Sequence, residues 1–354
     1  MNMRQFLVLV AVSALLLSLG ACMLLPGTQA NIQLSALAGV VPLTISYDGT
    51  ESDGPGGIDT WHWHFEEDVD IYAVSGEYTF DHAGTYDVTL AVRAADGSMD
   101  SQTIRVVVQP AFWVTDSSLG TVFKLDMQGS VIQSFPTPSS QPRGVALAES
   151  GGGWSLYVAC QGNGVQRIYR MHPETGAVQS EFSAPGQTPV YLAYGALTPF
   201  RLWHVDALSR KLYELVAGSG QLMNAFGATY FRSSPNLGNA PFLQTPAGLA
   251  WDTAGGVAGA LWLLEAETQS VYQLLIDPPI NVFEGIQLEL QPAPIVLDAS
   301  VFPVAGIDWH DGFLWVVDQN HHQIVQIDPG TGLPTGETIT GFPGAAVSGL
   351  AIQR

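Results

Sequence analysis

Four look-alike segments end in a carboxylate: FWVTD in Asp116, LWHVD in Asp206, LWLLE in Glu265 and LWVVD in Asp318. A fifth copy, LYVAC, carries Cys160 at that place. Carboxylates repeated in phase have two kinds of work open to them. At the end of a strand, one accepts hydrogen bonds from the amides of the following turn. Gathered on one face around a ring, they form an acidic binding surface for a basic partner or a cation. An asparagine would serve the turn role without charge, so charge separates the two readings. Catalysis asks for more. Glycoside hydrolysis needs carboxylates converging on one bond, and a lactonase or lyase needs a metal or a positioned base. The spacing assigns no such constellation, so no catalytic residue and no metal ligand is named.

The histidines are the next candidates. His62 and His64 lie two apart in TWHWHF, so on a strand both point to the polar face. Such a pair faces solvent, or binds zinc if a third and usually a fourth ligand join it; the sequence assigns none. DQNHHQI aligns with DALSRKL, EAETQSV and DSSLGTV, which puts His321 and His322 in a surface turn. His204 alternates with Trp203 inside a strand and reads as a hydrogen-bonded core residue. Of the two cysteines, Cys160 reads as a small apolar strand residue, and Cys22 stands at the end of a hydrophobic run.

That run explains Cys22. Arg4 is followed by an apolar stretch from Phe6 to Leu19, too short to span a bilayer and laid out like a secretory signal. Leu19-Gly20-Ala21-Cys22 resembles the bacterial lipobox. The resemblance implies that residues 1–21 are removed and that Cys22 carries a diacylglyceryl thioether and further acyl chains of the palmitate kind. Residues 22–31 then form the lipidated cysteine and a linker. Several acyl chains hold a bilayer far more firmly than one. With Cys22 acylated, no intrachain disulfide can form. Met23 is not the aspartate of an inner-membrane retention signal, so the expected location is the outer membrane of the cell envelope, after export across the inner membrane.

Twelve Lys and Arg against 32 Asp and Glu give a formal net charge of −20. A chain so acidic repels polyanions, which excludes nucleic acid as a partner class. It also repels anionic head groups, leaving the N-terminal lipid as the membrane contact. Charged residues are 12%, while Gly (38) and Pro (22) are frequent, a mix that suits many short strands joined by tight turns. No long helical periodicity follows the signal. The expected class is all-β, with no cofactor.

Residues 32–109 alternate in polarity. Leu43, Ile45 and Tyr47 share one face, as do Trp61, Trp63 and Phe65, then Tyr86, Val88, Leu90 and Val92, then Ile104, Val106 and Val108. About seven short strands separated by Gly- and Asp-rich turns predict an immunoglobulin-like β-sandwich. The stretch from Tyr78 to Leu90, YTFDHAGTYDVTL, resembles the PKD family, and the resemblance extends over nearly all of 32–109. The family's Trp-Asp-Phe-Gly-Asp-Gly turn reads WHFEED here, and Glu66 and Glu67 enter a left-handed turn less cheaply than glycine, so another loop shape is expected. The resemblance implies a spacer or contact module.

Residues 111–354 repeat. The aromatics Trp113, Tyr157, Trp203, Trp262 and Trp315 recur every 44 to 59 residues. Strands precede most of them (PRGVAL, PVYLAY, PAGLAW, VAGIDW), with VSGLAI at the end, and others follow (VFKLD, IYRMH, LYELV, VYQLL, IVQID). Four strands per unit in five phased copies predict a five-bladed β-propeller. Its first blade is closed by pairing SGLAIQR with FWVTD, and the longer third and fourth units leave room for extra strands. The repeats resemble the NHL, YncE-type and SMP-30 gluconolactonase-like propellers. The functional expectation is a lipid-anchored, non-enzymatic binding or scaffold protein whose propeller contacts an envelope or extracellular protein or polysaccharide. The alternative is a propeller-type hydrolase or lyase, lactonase-like and metal-dependent.

Overall fold

The computed structural model describes residues 27–66, 69–150, 153–162, 164–195, 200–227, 232–233, 244–253, 255, 259–277, 287–291, 293–301, 304–344 and 346–354. Cys22 and the hydrophobic run before it lie outside the described residues, as do Glu67 and Asp68 of the WHFEED segment. The chain divides into two compact units, Met1–Val108 and Gln109–Arg354.

In the first unit the alternating segments become eight strands: β1 (Gln33–Leu34), β2 (Ala38–Val40), β3 (Leu43–Asp48), β4 (Ile58–Glu66), β5 (Val69–Ile71), β6 (Ser75–Phe80), β7 (Gly84–Ala94) and β8 (Met99–Gln109). They form two sheets, ordered β1-β3-β6 and β2-β8-β7-β4-β5. The period of two puts every second side chain inside. Ile45, Tyr47 and Phe80 from one sheet are buried, as are Trp63, Phe65, Val88, Leu90, Val92, Val106 and Val108 from the other. Aromatic rings join the sheets, with centroids 4.8 Å apart for Tyr47–Trp63 and 4.2 Å for Phe65–Tyr78. The polar face of β4 is left to His62 and His64.

Among the described residues the second unit is a ring of five blades, each built on four antiparallel strands, with two short strands added to the fourth. Blade one joins the inner strand Val347–Gln353 to Ala111–Asp116, Thr121–Leu125 and Val131–Pro136. Ala351 lies opposite Trp113 and Val347 opposite Asp116, which is the closure expected from SGLAIQR and FWVTD. The other inner strands are Pro142–Ser150, Pro189–Gly195, Pro246–Asp252 and Val304–His310. Their second strands are Gly153–Gly162, Arg201–Asp206, Ala260–Glu265 and Phe313–Asp318. The extra length before and within the fourth repeat does not make a sixth blade among the described residues. Arg232–Ser233 adds to the outer edge of blade four, and Ile295–Val296 pairs with its third strand, Ser270–Asp277.

The repeated aromatic is what glues blade to blade. Trp113 packs with Val145, Leu156 and Val158 of blade two. Tyr157 packs with blade three, Trp203 with blade four, Trp262 with blade five, and Trp315 returns to Phe112 and Leu350 of blade one. Five apolar interfaces thus close on themselves. Near the axis the inner strands come so close that a Cβ on Gly144 would lie 2.5 Å from the carbonyl oxygen of Val190, and one on Gly349 2.8 Å from that of Arg143. Glycine is required there by space, not by turn geometry.

Candidate functional site

Strand register places the repeated carboxylates. Asp206 faces Pro189, Glu265 faces Pro246, Asp318 faces Val304 and Asp116 faces Val347, each the first residue of its inner strand. All four therefore stand at the same end of the ring. All four are also fully buried, so a partner cannot touch their carboxylates, and their hydrogen bonds run to the protein's own loops.

Asp116 Oδ1 accepts from the amides of Ser118 (2.8 Å) and Leu119 (2.7 Å), and Oδ2 from Ala346 N (2.9 Å). Asp206 Oδ1 accepts from Ser209 N (2.6 Å) and Oδ2 from Thr188 N (2.5 Å). Glu265 Oε1 accepts from the amide and hydroxyl of Thr245, at 2.5 and 2.7 Å. Asp318 accepts from Asn320 N, His321 N and Gln323 Nε2 and meets His321 Nδ1 at 2.6 Å. Asp116 and Asp206 each clamp the turn after their own strand to the loop that enters the inner strand of their blade.

Burial alone would push Asp116 and Asp206 up. Hydrogen bonds from Ser118, Ala346 and Leu119, and from Ser209 and Thr188, outweigh it and hold both below the ordinary carboxylate value. Glu265 goes the other way. Burial raises its pKa against the Thr245 bonds, and its Oε2 has no hydrogen-bond partner among the described residues.

The opposite end of the ring holds residues the repeat pattern did not single out. Opposite the repeated aromatic, four inner strands carry Ala146, Ala193, Ala250 and Ala351; the fifth carries Asp308. Its carboxylate accepts from Trp309 N (2.8 Å) and, across to blade one, from Ile352 N (2.7 Å). Burial raises its pKa to about 6, with the Arg354 charge pulling the other way. The Arg354 guanidinium donates to the carbonyls of Trp309 (2.7 Å) and Trp251 (3.4 Å), so it ties blade one to blades five and four. Glu149 is exposed beside this end, and Tyr194, Trp309, His310 and Arg354 are half-buried. The signal that could have found Asp308 was in the alignment: VAGIDW has aspartate where the other four copies have alanine.

The remaining candidates fall where their chemistry allows. His204 is fully buried, and burial lowers its pKa to about 4. The single N–H of the neutral ring suits the nearer carbonyl, that of Pro185 at 3.1 Å from Nε2. Cys160 is a buried free thiol, pushed up to about 12 by burial. His321 and His322 lie in the turn between the second and third strands of blade five. In the sandwich, His62 Nε2 and His64 Nδ1 both reach Asp70 Oδ1, at 2.9 and 3.1 Å. Those two histidines hold the Asp70 carboxyl below its ordinary value.

Residues 38–108 match the family model for the PKD domain. No curated protein matches the sequence significantly. Among solved structures, the chain is similar to virginiamycin B lyase from Staphylococcus aureus, with 14% identity, 84% of this chain and 85% of that one covered, and a TM-score of 0.36. It is similar to the β-propeller domain of Cps50 (Swd1) from Myceliophteria thermophila, with 12% identity, 68% and 86% covered, and a TM-score of 0.39. It is also similar to an auxiliary nutrient binding protein from Bacteroides thetaiotaomicron, with 10% identity, 92% of each chain covered, and a TM-score of 0.37. The chain is an all-β protein in which a PKD-type sandwich is followed by a five-bladed β-propeller.

Proposed function

We propose that this chain is a cell-envelope binding protein, exported and held on the outer membrane by acyl chains on Cys22. Its propeller takes a protein or polysaccharide partner. The sandwich lies between anchor and propeller along the sequence and serves as a spacer. The observation that carries the binding reading is the contrast between the two ends of the ring. At one end the carboxylates are buried in turn hydrogen bonds. At the other, Tyr194, Trp309, His310 and Arg354 are half-buried and Glu149, whose carbonyl accepts from the Tyr194 hydroxyl, is exposed. Aromatic rings with adjoining polar groups offer both stacking area and oriented hydrogen bonds, the means by which a partner is gripped.

Two experiments test this. Cys22→Ser should release the protein from the membrane fraction and abolish labelling by radioactive palmitate; a variant that stays membrane-bound in high salt would refute the anchor. For binding, a panel of envelope polysaccharides and purified envelope proteins is titrated against wild type and against Trp309→Ala with Glu149→Gln. A partner lost in the double variant supports the proposed face. A partner bound equally by both moves the surface elsewhere.

A further inference from the structure

Each inner strand pairs on one edge with the second strand of its blade, so its other edge faces the ring axis. In blade five, His310 and Phe313 close the two-residue turn Asp311–Gly312, both at positive φ, and so form a hydrogen-bonded pair. The next pair, Trp309 with Leu314, is then a non-bonded one, and both backbone groups of Trp309 point to the axis. Two side chains take them: Asp308 accepts from the N–H, and Arg354 donates to the C=O. The same side chains reach the equivalent positions of other blades, Ile352 N in blade one and Trp251 O in blade four. The carboxylate and the guanidinium are thus held at the axis, bracketing the backbone of one residue. Four blades keep alanine where blade five has Asp308, so the ring does not need this charge to close.

Both groups keep capacity for a ligand. Each is half-buried, so part of each is accessible. Their hydrogen bonds go to neutral backbone groups, and among the described residues neither forms an ion pair, with the other or with a third group. A carboxylate has further lone pairs and a guanidinium further N–H groups to offer. A partly desolvated charge without a counter-charge is costly. A simple anion would relieve Arg354 and be repelled by Asp308; a simple cation would do the reverse. A ligand that carries both charges relieves both. An α-amino acid carries its ammonium and carboxylate on the same N–Cα–C–O frame that the two side chains already bracket in Trp309.

We infer that Asp308 and Arg354 form an axial site for a free α-amino acid, its ammonium donating to the Asp308 carboxylate and its carboxylate accepting from the Arg354 guanidinium. The site shares an end of the ring with the binding face proposed above but needs no macromolecular partner.

The test is titration of the full chain by calorimetry at neutral pH with L-alanine, L-glutamate and L-lysine, with acetate and methylammonium as single-charge controls. At least one amino acid should bind, and the two controls about tenfold more weakly or worse. Asp308→Asn and Arg354→Gln should each lower the amino-acid affinity about tenfold or more. Asp308→Asn should also strengthen acetate binding, because an anion at Arg354 then meets no like charge. Melting curves check that the variants fold; Arg354→Lys, which keeps the charge without the planar fork, replaces Arg354→Gln if that variant does not melt cooperatively. Absence of binding by all three amino acids at millimolar concentration would overturn the site. So would amino-acid binding unchanged in Asp308→Asn, or matched by acetate alone. None of these readings depends on the macromolecule panel, since neither Trp309→Ala nor Glu149→Gln enters them.

Discussion

Asp308 stands where four blades keep alanine, and that exchange makes the ring sensitive to pH. Its folded pKa of about 6 lies above the ordinary 3.8 because burial disfavours the charge. Below about pH 4 the group is neutral both folded and unfolded. Above about 6 it is ionised in both, and the folded state bears the penalty. Its effect on stability is thus unfavourable at neutral pH and disappears as pH falls through 6 toward 4. His204 acts in the opposite sense: it stays neutral when folded down to about pH 4, while the unfolded chain takes up a proton below 6.5. Asp308→Asn removes the first effect; its amide keeps one acceptor and turns an NH2 toward either Trp309 N or Ile352 N, a cost that is the same at both pH values. Denaturant melts should show the stability of the variant relative to wild type rising by roughly 1–3 kcal/mol between pH 4 and pH 7. A parallel pair of curves would show that Asp308 is not the titrating group. Asp206 gives a different expectation. Both of its oxygens accept backbone N–H groups, so Asp206→Asn would turn an amide NH2 toward an amide donor, Ser209 N or Thr188 N. The substitution, mild by sequence alone, should cost about 1–3 kcal/mol, read from urea melts.

The turns between second and third strands repeat down to one backbone angle. The residue just before each third strand has positive φ: Gly120 (62°), Gly164 (74°), Arg210 (55°), Gln269 (49°) and His322 (51°). A side chain at such an angle costs on the order of 1 kcal/mol, which glycine avoids. Gly120→Ala should therefore destabilise the protein by about 1 kcal/mol; no atom lies nearer than 3.7 Å to the new Cβ, so the cost is conformational. His322→Gly should gain up to about 0.5–1 kcal/mol. Thermal melts of the pair check both signs. These elements show what the chain announces and what it conceals. Blade number, strand phase and ring closure were legible because each blade repeats the same pattern of aromatic, turn and alternating strand. The burial of the carboxylates was half legible, since turn acceptance and surface display share one sequence signature. The ties made by Asp308 and by Arg354 were not legible, because each reaches another blade through backbone groups of any identity. Nor was Asp70 as the companion of His62 and His64, because the β4–β5 register passes through an irregularity that alternation cannot count across.

At the scale of the whole propeller, Val347–Gln353 and Arg354 are the keystone. Deleting residues 348–354 removes the pairing with Ala111–Asp116, the buried side chains of Leu350 and Ile352, and the Arg354 bonds to two other blades. Each apolar side chain alone is worth about 1.5–3 kcal/mol, against a typical total of ~5–15 kcal/mol. The truncated chain should lose its cooperative melt, seen by calorimetry; an unchanged transition temperature would contradict the closure. The same arrangement sets a clock on synthesis. Three strands of blade one end by Pro136, while the fourth begins at Val347. At ribosomal rates of ~5–20 residues per second, roughly 10–40 s separate them. Throughout that interval Ala111–Asp116 is paired with Thr121–Leu125 on one side only, and its other edge is open to pairing with any other chain. A cell that makes this protein must therefore keep the nascent chain from pairing until its last strand has arrived.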